Sequence, residues 1–375
     1  MRTHRLIRLS IVVAAFVGAV TTVAAAGYST VADWLKLPAG RPQLGNMHGD
    51  VAVSSKGEVF VSVQDPAAGL QVYAPDGTFI RNVNGAPSDF HGFVIRTQPD
   101  GEFLYGATLR GQTLVKMRLD GQIVMTIGSS AIPDEFKVRN ARSNELQLLL
   151  TGLDVAPNGD IYVADGYASD FIHRFDKTGK YLASFGGKKP PYSFNTLHKL
   201  AIDTRFQPAR IIAVDRANNR VVHLSLGGEF LGVVATDLLL PAAITLSGDN
   251  VIVGELTGRV TVLDKAGKVV ERIGANTEQG VGTNQVKPEQ WRPGFVLSPH
   301  GVAINAQGDL FVSEFNQFGR VHRFNRHKSR TGVTPVCQIL RAARDSGTRL
   351  EPSMLSLVFA AAAAVAAPAT SCNSL

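Results

Sequence analysis

Short β-branched and aromatic runs alternate with glycine-containing turns along most of the chain. Three segments show the pattern most clearly, each with two apolar runs around a polar turn: Gly49–Ser62, Gly152–Ala164 and Gly301–Ser313. Two such runs around a tight turn predict a β-hairpin. Weaker copies of the same pattern occupy residues 92–107, 200–215 and 243–254.

The turns recur at a fixed distance, which predicts the number of strands. The hairpins above turn at Gly57, Gly101, Gly159, Pro208, Gly248 and Gly308. The first five are followed 19 or 20 residues later by a second turn at Gly77, Gly121, Gly179, Gly228 and Gly267. Each unit therefore contains two hairpins, or four strands, and no segment between residues 40 and 325 has a helical period. Six such units predict an all-β fold, a six-bladed β-propeller.

The sixth unit has only three strands of its own, which end at Arg323-Phe324. We expect Asp33–Pro38, near the other end of the domain, to supply the missing strand. A ring closed in this way leaves no open sheet edge. The predicted propeller domain covers residues 27–325.

The first 26 residues have the three-part plan of a secretory signal peptide. Three arginines precede the mostly apolar run Leu9–Ala26, which ends in small residues suited to signal peptidase. The alternative is an uncleaved N-terminal segment that tethers the chain to a membrane, because the run is close to a spanning length. Both alternatives predict an exported protein, either periplasmic or secreted. Residues 326–375 lack the repeat pattern and are expected to form an atypical, poorly ordered tail.

Composition and charge exclude several classes of protein. The 375 residues are 45% hydrophobic, enough for a large core, and carry a formal charge of +7. Residues 1–26 hold three basic and no acidic residues, and residues 326–375 hold six basic and two acidic ones, so the body is neutral. We therefore expect no nucleic-acid binding. Only Cys337 and Cys372 are cysteines, which excludes a disulfide scaffold and a cysteine-based zinc finger.

Three of the nine histidines occupy one register on alternate units. His91, His198 and His300 lie at or next to the start of the innermost strand in units two, four and six. In a six-fold ring these strands are about 120° apart around the central channel. Three imidazoles that converge from such positions can bind zinc and leave one ligand position open for water or substrate. The alternative is that each is an ordinary surface or core residue.

The remaining histidines fit the zinc pattern less well. We expect His48, one residue earlier in register than His300, to be a rim residue. The others in the patterned region are predicted to be structural residues of third strands: His173, His223 and His322.

Two further residues are expected near the same end of the channel. Tyr167 follows the second strand of unit three, and Arg216 follows the second strand of unit four. A tyrosine beside a metal ion can act as a base, and an arginine can hold an anionic oxygen through two parallel hydrogen bonds. The alternatives are a tyrosine that packs in a turn and an arginine paired with a neighbouring acid.

Several motifs resemble those of one enzyme family. Tyr162–Tyr167 and Ile172–Tyr181 resemble an NHL-repeat propeller, and the similarity runs from about residue 44 to 325. More narrowly, the chain is similar to peptidyl-α-hydroxyglycine α-amidating lyase (peptidylamidoglycolate lyase). The strongest motifs are Phe90-His91-Gly92, Asp165-Gly166-Tyr167, Leu197-His198, Asp215-Arg216-Ala217-Asn218 and Pro299-His300-Gly301.

The resemblance implies a site and a reaction. The family's three zinc-binding histidines match His91, His198 and His300, its catalytic tyrosine matches Tyr167, and an active-site arginine matches Arg216. The implied reaction cleaves a peptidyl-α-hydroxyglycine into a peptide amide and glyoxylate. Accordingly we expect a monomer that acts on a small peptide or small-molecule substrate.

The chain departs from the family pattern at two positions. A second family arginine falls near Gln64, which puts recognition of the substrate carboxylate in doubt. The family's structural calcium uses an aspartate directly after the third histidine, where this chain has Gly301, so a calcium site stays open to question. Two other functions therefore remain: a non-catalytic NHL propeller that binds a protein or glycan, and a metal-dependent hydrolase on the same fold.

Overall fold

The computed structural model describes residues 27–277 and 281–327. The predicted signal peptide and nearly all of the predicted tail lie outside the described residues. Within those two ranges, no helix has the length and apolar character needed to cross a membrane. The helical segments found there are single 3-10 turns: Ser129–Ala131, Asp134–Phe136, Arg216–Asn218 and Pro288–Gln290.

The described strands form six four-stranded antiparallel blades and one small hairpin. The first strand of the described residues is β1 (Tyr28–Val31), followed by blade 1 with β2 (Val51–Val53), β3 (Val59–Val63), β4 (Gly69–Tyr73) and β5 (Phe79–Asn82). Blade 2 contains β6 (Phe90–Gln98), β7 (Gly101–Thr108), β8 (Leu114–Arg118) and β9 (Ile123–Ile127), and the hairpin of β10 (Val138–Arg139) and β11 (Leu146–Gln147) follows. Blade 3 contains β12 (Gly152–Val155), β13 (Ile161–Ala164), β14 (Phe171–Phe175) and β15 (Tyr181–Gly186).

The second half of the ring repeats this arrangement. Blade 4 contains β16 (Leu197–Asp203), β17 (Arg210–Asp215), β18 (Arg220–Ser225) and β19 (Phe230–Ala235). Blade 5 contains β20 (Pro241–Ser247), β21 (Asn250–Glu255), β22 (Arg259–Leu263) and β23 (Val269–Ile273). Blade 6 contains β24 (Pro299–Ile304), β25 (Leu310–Glu314) and β26 (Val321–Arg326), with β1 as its fourth strand.

The innermost strands line the centre of a closed ring. Each of β2, β6, β12, β16 and β20 contacts the inner strand of the next blade, and β24 contacts β2. The predicted six-bladed β-propeller is confirmed. The first residues of the six inner strands consequently meet at one end of a central channel.

The core lies between the blades. Among the described residues there are six buried apolar clusters, one for each pair of neighbouring blades. Between blades 6 and 1, for example, Phe311 packs against Trp34 with ring centroids 5.2 Å apart. Burying an aromatic side chain of this size stabilises the fold by about 1.5–3 kcal/mol. The facing surfaces of neighbouring sheets pack through these clusters and thus hold the blades, and the channel between them, in fixed positions.

The prediction that Asp33–Pro38 completes blade 6 was wrong. The strand that pairs with β26 is β1, with Tyr28 opposite Arg326 and Val31 opposite Arg323. Asp33–Pro38 instead passes between blades 6 and 1, where the Trp34 side chain is buried and its indole N–H donates to the Pro75 carbonyl at 2.9 Å. Because the Trp34 ring packs in the core between the two blades, the backbone of this segment leaves the edge of blade 6.

Candidate metal centre and catalytic site

Each of the three predicted histidines lies at a β-bulge near the start of its inner strand. In β6, the residues on either side of His91 pair with consecutive residues of β7, so His91 is the extra residue of a β-bulge. The same irregularity occurs at His198 in β16 and at His300 in β24. A bulge turns the side chain of its extra residue out of the regular alternation of the strand. It therefore allows each imidazole to point towards the channel axis rather than between the blades.

The structure brings these three imidazoles together. Their ring centroids are 5.0 Å apart for His91 and His198, 4.7 Å for His91 and His300, and 4.9 Å for His198 and His300. Each side chain is buried. The predicted convergence from alternate blades is thus present as a nearly equilateral triangle.

Each imidazole is fixed by a carbonyl group of the next blade. The Nδ1 atom of each ring lies at hydrogen-bond distance from a backbone oxygen, and a carbonyl can only accept. Nδ1 must therefore carry the proton, which leaves the lone pair on Nε2. The three pairs are His91 with Thr151 at 2.7 Å, His198 with Ala242 at 2.6 Å, and His300 with Gly49 at 3.0 Å.

Burial keeps the same imidazoles neutral. It lowers the pKa values of His91, His198 and His300 well below the usual 6.5, against the opposing effect of the hydrogen bond that each Nδ1 makes with a carbonyl oxygen. The Nε2 atom of His300 is buried and has no hydrogen-bond partner. Neutral imidazoles oriented through Nδ1, with Nε2 free to bind, are the usual form of histidine metal ligands. The cluster could therefore hold a metal ion.

Tyr167 reaches the cluster from the loop after β13. Asp165 anchors this loop because its buried carboxylate accepts a hydrogen bond from the Leu149 N–H at 2.5 Å. Gly166 then passes against β16, where a Cβ atom would lie 2.0 Å from the Leu197 carbonyl oxygen. Only glycine allows this approach, which brings Tyr167 next to the histidines.

The Tyr167 hydroxyl lies among four nitrogen atoms. It is 2.9 Å from Nε2 of His198, and 3.2 Å from Nε2 of both His91 and His48. A guanidinium N–H of Arg216 donates to the same oxygen at 3.1 Å. Since a hydroxyl carries one proton, it can donate to only one of the three imidazoles.

Two opposing effects act on this hydroxyl. Burial is the larger effect and raises the pKa of Tyr167 above its usual value of 10, while the positive charge of Arg216 and its hydrogen bond act in the opposite direction. Arg216 begins the 3-10 turn after β17, where its backbone N–H donates to the Thr196 carbonyl at 3.0 Å. Its guanidinium carbon lies 5.0 Å from the centre of the Tyr167 ring. Tyr167 and Arg216 therefore form one unit at the side of the histidine cluster.

His48 belongs to the cluster, so its prediction as a rim residue was wrong. Its ring centroid is 4.8 Å from those of both His91 and His300, and 4.6 Å from that of Phe315. The candidate ligand nitrogens of His48, His91 and His300 all lie within 4.8 Å of one another. Burial, with the charge of Arg216, lowers the pKa of His48 to about 4. The signal for this role was its position close to the start of the inner strand of blade 1, three residues before Val51.

The other histidines of the blades have partners within their own sheets. His173 lies 2.7 Å from the Ser184 hydroxyl, His223 lies 3.0 Å from an Asp203 carboxylate oxygen, and His322 lies 2.9 Å from a Glu314 carboxylate oxygen. All three are in the third strands of their blades.

Curated relatives support the resemblance to the amidating lyases. A probable peptidyl-alpha-hydroxyglycine alpha-amidating lyase of Caenorhabditis elegans is 28% identical over 203 residues, which cover 52% of this chain and 52% of the relative. Peptidyl-alpha-hydroxyglycine alpha-amidating lyase 1 of Drosophila melanogaster is 26% identical over 237 residues, covering 55% of this chain and 38% of the relative. The chain thus spans about half the length of the first relative and less of the second. No protein-family model matches the chain.

Solved structures support the fold. A streptogramin B lyase is 12% identical with a TM-score of 0.51, and the match covers 80% of this chain and 97% of that one. Virginiamycin B lyase from Staphylococcus aureus is 13% identical with a TM-score of 0.50, covering 76% and 96%. At these identities the likeness concerns the propeller alone. The chain is therefore a six-bladed propeller that resembles peptidyl-alpha-hydroxyglycine alpha-amidating lyases.

Proposed function

We propose that this protein is a zinc-dependent lyase that cleaves a peptidyl-α-hydroxyglycine into a peptide amide and glyoxylate. One observation carries the proposal: three neutral imidazoles, each oriented through Nδ1, surround a point next to the hydroxyl of Tyr167. The names of the curated relatives support the same reaction.

In this proposal His91, His198 and His300 hold the zinc ion through Nε2. Three histidines with one open position are a typical catalytic zinc set. A zinc ion bound there would supply positive charge that stabilises negative charge on a nearby oxygen. His48 lies beside this set, with its Nε2 atom 3.2 Å from the Tyr167 hydroxyl, and we assign it the role of positioning that hydroxyl.

The reaction requires one proton to leave an oxygen and one to reach a nitrogen. The substrate hydroxyl loses its proton, its C–O bond becomes the aldehyde C=O of glyoxylate, and the C–N bond breaks. The amide nitrogen takes up a proton and leaves as the peptide amide. Tyr167 can take the hydroxyl proton once its own oxygen is ionised, and the adjacent Arg216 favours that ionised form.

Substrate recognition then depends on Arg216 as well. The position at which the family has a second arginine is near Gln64, whose side-chain amide donates to the His48 carbonyl oxygen at 3.1 Å. Gln64 thus holds the backbone of the cluster and carries no charge. We therefore assign Arg216, a guanidinium that can form two parallel hydrogen bonds, to the substrate carboxylate.

The test is glyoxylate release from an N-acyl-α-hydroxyglycine by the zinc-loaded protein, above the rate of spontaneous breakdown. The protein is expected to release glyoxylate and amide in equal amounts, and Tyr167→Phe to abolish most of the acceleration. Metal binding without glyoxylate formation would point to the hydrolase alternative. A protein with neither metal nor turnover would be a binding module.

We also propose that the protein is exported through residues 1–26. The support is the sequence alone: three arginines followed by an apolar run with small residues at its end. Mass spectrometry of protein from the extracytoplasmic fraction should show a new N-terminus near residue 27. An intact Met1 on a cytoplasmic protein would contradict export.

A further inference from the structure

The layer of residues directly beneath the histidine cluster contains one buried ion pair. The positions equivalent to His91, His198 and His300 in blades 1, 3 and 5 are Gly49, Thr151 and Ala242. The residues that follow these six positions, at or directly before the inner strands, are in blade order Asp50, Gly92, Gly152, Lys199, Ala243 and Gly301. Four of the six are glycine or alanine. The two charged residues come from blades 1 and 4, on opposite sides of the ring. The Lys199 ammonium contacts a carboxylate oxygen of Asp50 across the channel.

The small residues of this layer provide the space for the pair. A Cβ atom on Gly301 would lie 2.4 Å from Oδ1 of Asp50, and one on Gly152 would lie 2.9 Å from Cγ of Lys199. Cβ atoms in proteins essentially never make contacts this short, so larger residues would displace the pair. The sequence of the layer is thus adapted to one carboxylate and one ammonium group.

Both members of the pair are buried: Asp50 is 1% exposed and Lys199 is 4% exposed. Because water cannot neutralise the Asp50 carboxylate there, it needs a cation. The carboxylate also accepts backbone hydrogen bonds from Val51 at 2.9 Å and Phe93 at 3.2 Å. These neutral donors do not cancel its charge, and an unpaired buried carboxylate is strongly unfavourable. Lys199 supplies the positive charge.

Calcium does not fit this layer. A calcium ion requires six to eight oxygen ligands. Gly301, at the position where the resemblance implies an aspartate, brings no side-chain oxygen, and the Asp50 carboxylate already binds an ammonium group. The residues therefore disagree with the structural calcium of the family.

We propose that Lys199 is the resident cation of the channel: its ammonium group neutralises Asp50 beneath the histidine cluster and replaces a structural divalent ion. Lys199 also lines the cavity of about 510 Å³ at the other end of the channel, together with Arg96, Asp154 and Thr245. The fold is consequently independent of calcium. This inference does not depend on the proposed reaction, because it concerns the stability of the ring.

The test compares the wild type with Lys199→Met and with the double variant Asp50→Asn/Lys199→Met, all kept in zinc. Elemental analysis should find no calcium in the wild type, and added calcium chloride should leave its melting temperature unchanged. Lys199→Met strands the buried carboxylate and should lower the melting temperature by about 10 °C. The double variant has no unpaired charge and should regain most of that loss.

Two results would overturn the proposal. One is an equivalent of calcium in the wild type together with a rise of its melting temperature on calcium addition. The other is a double variant no more stable than Lys199→Met, which would show that Lys199 acts through packing rather than charge. If Lys199→Met does not fold, a folded double variant supports the proposal and an unfolded one contradicts it.

Discussion

Replacement of His173 tests whether burial in this propeller keeps imidazoles neutral. His173 lies in β14, apart from the histidine cluster, and burial lowers its pKa to about 4. Its Nδ1 atom is 2.7 Å from the Ser184 hydroxyl, and its Nε2 atom is buried without a hydrogen-bond partner. The same physical effect leaves the lone pairs of the cluster histidines available for a metal ion, so His173 isolates that effect from metal binding.

The magnitude follows from the difference between the two pKa values. In the unfolded chain the imidazole has a pKa of about 6.5, so between about pH 6.5 and 4 the unfolded state binds a proton that the native state does not. The contribution of a neutral buried His173 is therefore complete above pH 6.5 and is lost as the pH falls towards 4. From about pH 7.5 to 5.5, this single group should reduce the free energy of unfolding by about 1.3 kcal/mol.

The assay is urea unfolding of the wild type and His173→Phe at several pH values in this range. The variant has no titrating group at this position, so its free energy of unfolding should fall by about 1.3 kcal/mol less than that of the wild type. The Ser184 hydroxyl keeps a second partner, Tyr181, at 2.8 Å. Ser184→Ala is the matched control, because it removes the partner and retains the imidazole, and its slope should follow the wild type. Equal slopes for the wild type and His173→Phe would refute the reasoning.

Three further predictions concern the catalytic site. Tyr167→Phe should lower glyoxylate release by about 10²–10⁴-fold without loss of metal, because it removes only the proton-accepting oxygen; loss of the metal would contradict this role. Arg216→Met removes the charge that lowers the pKa of Tyr167, so the acidic limb of the pH–rate profile, along which Tyr167 ionises, should move to higher pH, and an unchanged limb would exclude the assigned effect. Gly166→Ala places a Cβ atom 2.0 Å from the Leu197 oxygen and should displace Tyr167, so wild-type turnover in this variant would disprove the positioning argument.

The blades could be predicted from sequence because each turn leaves a local signal. Residues such as Gly57 and Gly159 adopt positive φ values of 82° and 90°, which few other residues tolerate. The histidine register followed from the same repeats, since His91 and His300 each lie directly after the first residue of an inner strand. The periodicity of the sequence was thus enough to predict the fold and the position of most residues of the candidate site.

The rest depended on geometry that no local pattern encodes. The bulge at each histidine is a property of strand pairing, and the side chain of His48 enters the cluster through the conformation of a non-repeating loop. Asp50 and Lys199 are 149 positions apart, and only ring closure brings them together. The position of Asp33–Pro38 near the N-terminal end of the domain predicts the missing edge strand there, whereas the Trp34 side chain is buried in the core and β1 is the strand that pairs with β26.

Metal content tests the central claim, a zinc site formed by His91, His198 and His300. We predict one equivalent of zinc in the wild type, loss of zinc in His198→Ala, and retention of zinc in His48→Ala. Zinc retained in His198→Ala and lost in His48→Ala would assign the ion to His48, His91 and His300 instead, and would contradict the account.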